Sequence, residues 1–424
     1  MKVLIVTYYW PPAGGSGVQR WLKFVKYLQE FGIEPIVYTV ENSKYPITDA
    51  SLEAEIPDGT IILKQPIWEP NNLLSIFKKK KAQQSAGFLN PNPSFLGGVL
   101  QYIRANYFIP DARKYWVKPS VSYLDEYLSE NIVDVIVTSG PPHSLHLIGL
   151  ELKKRLGIKW ISDFRDPWTE IDYFEQLPLT KKSIHVHHKL EREVLEKSDA
   201  VLVVGNTMKE KFNRYSKTVH VVTNGFDDAI SEGNIVLDSK FTITHVGLMN
   251  ADRNPISFWK AISEISRDNE EFTADYQVQI VGKVASEVEK SIKEFALKNI
   301  DYVGYVSHQE VKKFQEKTQV LLLAVNNVKS AKGIITGKIF EYLQAKRPIL
   351  AIGPVDGDLA EIISETNSGT IVDFEDVEKM KSELLSLYKA YKNKSLSVDS
   401  KNIEKYHRKN LTHKLSTILK ETIS

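Results

Sequence analysis

Residues 331–352, AKGIITGKIFEYLQAKRPILAI, bring Gly333, Gly337, Lys338 and Glu341 into one short run. Thr336-Gly337 leads into a helical pattern with Lys338 in the first turn and Glu341 one turn on. Lys346-Arg347-Pro348 then closes the helix before an apolar strand. Main-chain N–H groups at a helix start attract phosphate, and glycine lets a ligand approach the backbone. A lysine adds positive charge, and a carboxylate one turn further can accept two hydroxyl hydrogen bonds, as a ribose diol offers. The competing reading is a capped core helix with a solvated Lys and Glu.

Further candidates lie where strands end. Lys2–Tyr8 reads as a buried parallel strand, followed by Ala13-Gly14-Gly15-Ser16-Gly17 and a helix through Val18, Trp21, Leu22, Val25 and Leu28. Strand, glycine loop, helix and strand make a βαβ unit with an anion-binding turn at Gly15 and Ser16. The spacing is neither GxGxxG nor a Walker loop. Ser139-Gly140-Pro141-Pro142-His143-Ser144 follows a strand over 133–138. Asp163-Phe164-Arg165-Asp166-Pro167-Trp168 follows one over 158–162. Ligands of parallel sheets collect outside the carboxyl ends of strands. His143 reads as a general base, a donor to a sugar hydroxyl, or a helix-start residue. Asp163, Arg165 and Asp166 read as a polar site or as an internal ion-pair cluster. HVHHKLERE, residues 185–193, lacks a completing metal ligand and reads as a polar helix face.

In the second half, Arg253 follows the strand Phe241–Val246 and Lys283 follows Tyr276–Val281. With Lys338 they make three cations near strand ends, able to converge on a diphosphate. Each alone reads as solvated surface. The turn Gly304-Tyr305-Val306 precedes another helix.

A chain of 424 residues with 42% hydrophobic content supports two or three cores. A net charge of +2 does not indicate nucleic-acid binding, and the absence of cysteine excludes thiolate metal sites and a cysteine nucleophile. No apolar run approaches the length of a membrane span, so the expected setting is cytoplasmic, either soluble or on the inner face of the cell membrane. The βα rhythm breaks over 68–118, where Lys78 to Lys81, Arg104, Arg113, Lys114 and Lys118 alternate with Leu, Ile, Phe, Tyr and Trp. Such a segment suits peripheral contact with anionic lipid, or packs on its domain as an ordinary helical excursion. The pattern divides into a Rossmann-like domain over 1–225 with the basic-aromatic insertion, a second over 240–395, and a helical tail over 396–424.

Taken in order, GGSGVQR, TSGPPHS, DFRDPW, VVTNGFD, HVG, IVGK, VGYVSHQEV and GKIFEYLQAKRPILA resemble the retaining glycosyltransferases of family 4. That resemblance covers most of the chain. It implies an α/β GT-B fold: two Rossmann-like domains facing across a cleft, with a C-terminal helix returning to the first. It also implies a nucleoside-diphosphate sugar held mainly by the second domain. Glu341 matches the family's ribose-binding glutamate, and Thr336, Gly337 and Lys338 match its diphosphate turn. Tyr305 and Val306 match the loop against the base. Gly15 and Ser16 match the glycine loop, and His143 matches a histidine near the transferred sugar. Two positions depart from the pattern: Gly333 stands where the family has an earlier glutamate, and Leu248 and Arg253 stand at its Arg and Lys positions.

The expected chemistry follows. Cleaving the sugar–phosphate bond builds charge on the leaving diphosphate, which Arg253, Lys338, Lys283 and helix N-termini would stabilise without a metal or other cofactor. Front-face attack would retain configuration, and domain closure would limit hydrolysis. The expected acceptor is a saccharide, lipid-linked on the evidence of the 68–118 segment, met by Asp163, Arg165 and Asp166, with no role for nucleic acid. The setting implied is surface-polysaccharide or glycoconjugate synthesis. The alternatives are a nucleotide-sugar epimerase or hydrolase, or an inactive nucleotide-sugar-binding partner.

Overall fold

The computed structural model describes residues 1–69, 95–227 and 235–424. The chain divides into two compact units, 1–223 with 408–424, and 224–407.

The first unit is built on seven parallel strands: β1 (Lys2–Val6), β2 (Glu34–Val40), β3 (Ile61–Gln65), β4 (Val135–Gly140), β5 (Lys159–Phe164), β6 (Ala200–Val203) and β7 (Val219–Val221). Their order is β3-β2-β1-β4-β5-β6-β7. The central strands are apolar on both faces because both are covered. Leu4, Val6 and Ile136 enter one core, while Val3, Ile5, Val135 and Val137 enter the other. Leu411, Leu415, Ile418 and Leu419 of the last helix, Arg408–Ile423, join the second of these cores beside Trp21 and Phe24. Lys409 pairs with Glu30 at 2.6 Å, and Lys420 Nζ donates to the Phe31 carbonyl at 3.1 Å. The C-terminal helix therefore belongs to the first unit.

Within the expected insertion, residues 70–94, including Lys78 to Lys81, lie outside the described residues. The remainder forms helices Phe95–Tyr107 and Lys114–Glu130. Asp111 between them accepts from Ser144 N–H and Ser144 Oγ, both at 2.9 Å, and so caps the helix Ser144–Leu156.

The second unit carries β8 (Phe241–Val246), β9 (Tyr276–Val281), β10 (Ile300–Gly304), β11 (Val320–Ala324), β12 (Ile349–Ile352) and β13 (Gly369–Val372), all parallel, in the order β10-β9-β8-β11-β12-β13. The strands again feed two cores: Leu322 packs with Phe241 and Ile243, and Leu321 and Leu323 pack with Val246 and Val281. Each unit is thus a doubly wound, Rossmann-like sheet. Its strand order reverses at β1/β4 in the first unit and at β8/β11 in the second, and ligand crevices open beyond the carboxyl ends at such reversals.

Candidate functional site

In the second unit, the loops after β8, β9 and β11 meet at the β8/β11 reversal. After β8, Gly247 adopts a φ of 102°, and a Cβ there would lie 2.6 Å from Lys338 Cε and 2.9 Å from its Nζ. The positive φ favours glycine, and the end of the lysine side chain crosses over the main chain there. Gly247 N–H donates to Val281 O at 2.7 Å and Met249 N–H to Lys283 O at 2.9 Å, so the loops after β8 and β9 stay paired. After β11, Asn327 N–H donates to the Asp252 carbonyl at 2.7 Å. The chain then passes Gly333 and half-buried Thr336 and enters the helix Lys338–Ala345 with Gly337 at its N-cap. Gly337 has a φ of −57°, and a Cβ there would meet nothing within 4 Å. Its own conformation does not call for glycine, and the helix start stays open to approach.

Lys338 Nζ lies 3.4 Å from His245 Nε2. His245 is buried, and its Nδ1–H donates to the Leu322 carbonyl at 3.2 Å, which leaves Nε2 as the acceptor facing the lysine. Burial, with Lys338 alongside, holds His245 well below the usual histidine value. Burial likewise brings Lys338 down to about 7; Arg253 pushes the same way and Glu341 opposes. Arg253 ends the short turn Ala251–Arg253 and donates from Nη1 to the Leu248 carbonyl at 3.1 Å. Its Nε is buried with no hydrogen-bond partner, as are the Oδ1 atoms of Asn250 after β8 and Asn326 after β11. Three orphaned polar atoms thus flank the reversal, where a polar ligand would satisfy them.

Glu341, half-buried, accepts from Gln315 Nε2 at 2.9 Å through Oε2. Gln315 lies on the helix His308–Lys317, started by a capping box between Ser307 and Glu310. Just before it, Tyr305 is 88% exposed and Val306 packs on the core. Lys283 is exposed on the loop after β9.

In the first unit, Gly15 takes a φ of 85° as the N-cap of the helix Ser16–Leu28. Arg165 ties this loop to the one after β4. Its Nη1 donates to the Gly17 carbonyl at 2.6 Å, its backbone N–H to the Gly140 carbonyl at 3.0 Å, and its Nη2 to the Pro141 carbonyl. The guanidinium also stands 5.6 Å over the Tyr9 ring. His143 stacks on Trp168 with centroids 4.9 Å apart and planes at 5°. Its Nδ1 is buried without a hydrogen-bond partner, and so is Nε2 of His146. Burial pushes both imidazoles down, His146 to about 3 and His143 well below its usual value. Both rings are therefore neutral at physiological pH.

Two sequence expectations need correction here. Asp163 does not face an acceptor. It is fully buried and accepts from Arg20 Nη2 at 2.8 Å, Trp21 Nε1 at 2.8 Å and Ser139 Oγ at 2.8 Å. Burial alone would raise its pKa, but Arg20 and these bonds outweigh that and hold it below the usual carboxylate value. Arg165 does not pair with Asp163; its donors serve backbone carbonyls. Asp166 is exposed on the same loop. The HVHH stretch is not uniformly polar either: His187 is buried and accepts from Trp168 Nε1 at 3.0 Å. Glu191, one turn on, accepts from Thr169 Oγ1 at 2.5 Å. These bonds fasten the Asp166–Glu170 loop to the helix Lys181–Lys197 and hold Trp168 under His143. Arg20, His146, His187, His245 and Gln315 were not singled out by sequence. His146 and Gln315 lie inside ordinary helical patterns with no local motif to mark them, while Arg20, His187 and His245 stand in the stretches GGSGVQR, HVHHKLERE and HVG, whose local sequence does not report their buried partners. Among the described residues, no three His, Asp or Glu side chains gather as metal ligands.

The model for "Glycosyltransferase Family 4" matches residues 15–230, and the model for "Glycosyl transferases group 1" matches residues 240–390. No curated protein matches the chain. Among solved structures, WaaG, a glycosyltransferase involved in lipopolysaccharide biosynthesis, is 14% identical with a TM-score of 0.56, over 98% of this chain and 99% of its own. The apo form of the lipopolysaccharide outer core galactosyltransferase WaaB is 13% identical, TM-score 0.60, over 99% of each chain. A TarM variant from S. aureus, in complex with fondaparinux, α-GlcNAc-glycerol and UDP, is 11% identical, TM-score 0.57, over 99% of each. At these identities the likeness is one of fold.

Proposed function

The chain belongs to glycosyltransferase family 4, and from that we propose that it is a retaining enzyme moving a hexosyl group from a nucleoside-diphosphate sugar to a saccharide. The observation that carries this reading is Lys338, a half-buried lysine at an open helix start, crossing Gly247 and lying within the field of Arg253. This cation has a neutral imidazole 3.4 Å away and Arg253 and Glu341 within its field, and it gains a further counter-charge when a diphosphate binds.

In this reading the diphosphate meets Lys338, Arg253 and the N–H groups at Thr336-Gly337-Lys338, and Lys283 draws it in from solvent. Glu341 takes the ribose diol, and Tyr305 with Val306 lies against the base. These cations and dipoles stabilise the leaving group without a metal. By the family resemblance Gly15 and Ser16 serve the same phosphates, and neutral His143, fixed by Trp168, offers a hydrogen bond to the transferred sugar. Asp163 is committed to Arg20, which favours front-face attack over a double displacement through that carboxylate. Asp166 and the backbone held by Arg165 line the acceptor side.

A lipid-linked acceptor, as in surface-polysaccharide synthesis, is supported by the helix Phe95–Tyr107. It exposes Val99, Leu100, Tyr102, Ile103 and Tyr107, the last at 66%, near 55% exposed Trp68 with its edge on Tyr115. No described helix is long and apolar enough to cross a membrane, so such contact would be peripheral.

The test is thermal stabilisation by UDP, GDP and ADP in chelator, followed by turnover of the matching sugar-nucleotides with and without saccharide acceptors. A selective shift by one nucleotide, several degrees at saturation and unchanged by chelator, is expected. No shift with any of the three overturns the donor assignment.

A further inference from the structure

Among the described residues Glu341 accepts a side-chain hydrogen bond from Gln315, and its chemistry is specific. Gln315 Nε2 donates to Glu341 Oε2 at 2.9 Å. The amide orientation is unambiguous, because only the nitrogen can donate to a carboxylate. Gln315 is 4% exposed, so its side chain is held by packing and not by solvent. Its helix, His308–Lys317, is fixed at both ends. The Ser307–Glu310 capping box starts it directly after the Tyr305-Val306 loop. At the other end, Arg347, just beyond the Glu341 helix, donates to the carbonyls of Thr318 at 2.8 Å and Gln319 at 3.1 Å.

An amide differs from the usual carboxylate partner. Lysine or arginine would orient Glu341 but also neutralise it. Glutamine occupies one oxygen, fixes the rotamer and leaves the full negative charge for the other. A carboxylate prepared this way suits a ligand that brings two neutral hydroxyl donors and no cation.

We propose that Gln315 is a positioning residue that presets Glu341 to read a vicinal diol, so that the site distinguishes ribonucleotides from 2′-deoxyribonucleotides. This rests on the donor reading of the site given above. Removing Gln315 frees the Glu341 side chain, and re-ordering it on binding costs affinity of about three- to tenfold. That loss falls only on ligands that use both hydroxyls.

The experiment measures dissociation constants of UDP, GDP and ADP and of their 2′-deoxy forms for the full chain and three variants. The unaltered chain is expected to prefer the ribo form of its chosen nucleotide. Glu341→Ala should abolish that preference. Gln315→Met, similar in size but without a donor, should cut the preference about three- to tenfold while leaving 2′-deoxy affinity unchanged. Gln315→Glu provides a check against misfolding. At pH 8 two facing carboxylates repel, and the preference should fall. Near pH 5.5 the pair shares one proton, the hydrogen bond returns, and the preference should recover. A preference retained in Gln315→Met and independent of pH in Gln315→Glu overturns the role of Gln315 while leaving the donor site standing. Absence of nucleotide binding by the unaltered chain overturns the donor site itself.

Discussion

Lys338 is a half-buried lysine whose titration is displaced into the working range, and its behaviour follows from the direction of that displacement. An unfolded lysine titrates near 10.4, whereas Lys338 in the folded protein titrates at about 7. Between these values the unfolded chain binds the extra proton, so stability of the free protein rises with pH through this window. Diphosphate binding restores the charge and therefore takes up a proton above pH 7. Donor affinity should fall by up to about tenfold per pH unit from pH 7 to 9. Calorimetry in buffers of different ionisation enthalpy should register proton uptake at pH 8, and Lys338→Arg should flatten the profile. A flat profile in the unaltered chain would show that Lys338 does not meet the phosphates. Lys338→Met should weaken nucleotide binding while leaving melting unchanged or higher, since it removes a half-buried amine. Asp163 carries the opposite expectation. Asp163→Asn leaves Arg20 buried without its counter-charge and should cost about 3–5 kcal/mol in chemical denaturation. An acceptor-binding Asp163 would instead leave stability intact and raise the acceptor KM. From sequence, both Asp163 and Lys338 were charged residues at strand or helix ends. What separated them was a partner far along the chain: Arg20 lies 143 residues from Asp163, and no local spacing reports that.

Elements were more legible than residues, with instructive exceptions. Glu34–Val40, Phe241–Val246 and Tyr276–Val281 announced themselves as continuous β-rich runs, and the structure gives the same spans. The strands β3 and β13 did not. Both are edge strands, part exposed, and IILKQ and GTIV lack the long apolar run of a strand covered on both faces. The helix Lys338–Ala345 was legible because its glycines, lysine and glutamate fall within nine residues. The last helix was legible as a helix, but its place in the core was only suggested. Leu415 of that helix is fully buried, and Leu415→Ala should cost about 2–5 kcal/mol, read as a lower midpoint of the first unit's unfolding transition. The helix Phe95–Tyr107 can be tested from outside. Ile103→Glu with Tyr107→Glu should reduce flotation with anionic liposomes several-fold without altering nucleotide affinity. Flotation that is weak at the start, or unchanged in the double variant, would remove the lipid reading.

At the scale of the whole molecule, two sheets repeat one plan. Both read third, second, first, fourth, fifth and sixth from one edge, and each carries its glycine-rich turns beyond the strand ends at the reversal. That shared plan made the fold class readable, since order and spacing of weak motifs accumulate over 424 residues. The first unit, however, is not continuous in the chain: residues 224–407 lie between its main body and its closing helix. During synthesis its first 223 residues emerge well before Leu411, Leu415, Ile418 and Leu419 exist. At roughly 5–20 residues per second the delay is about 10–40 s. For that interval the core around Val3, Ile5 and Trp21 lacks its outer wall. Nascent chains stalled between residues 223 and 408 are where chaperone engagement should concentrate.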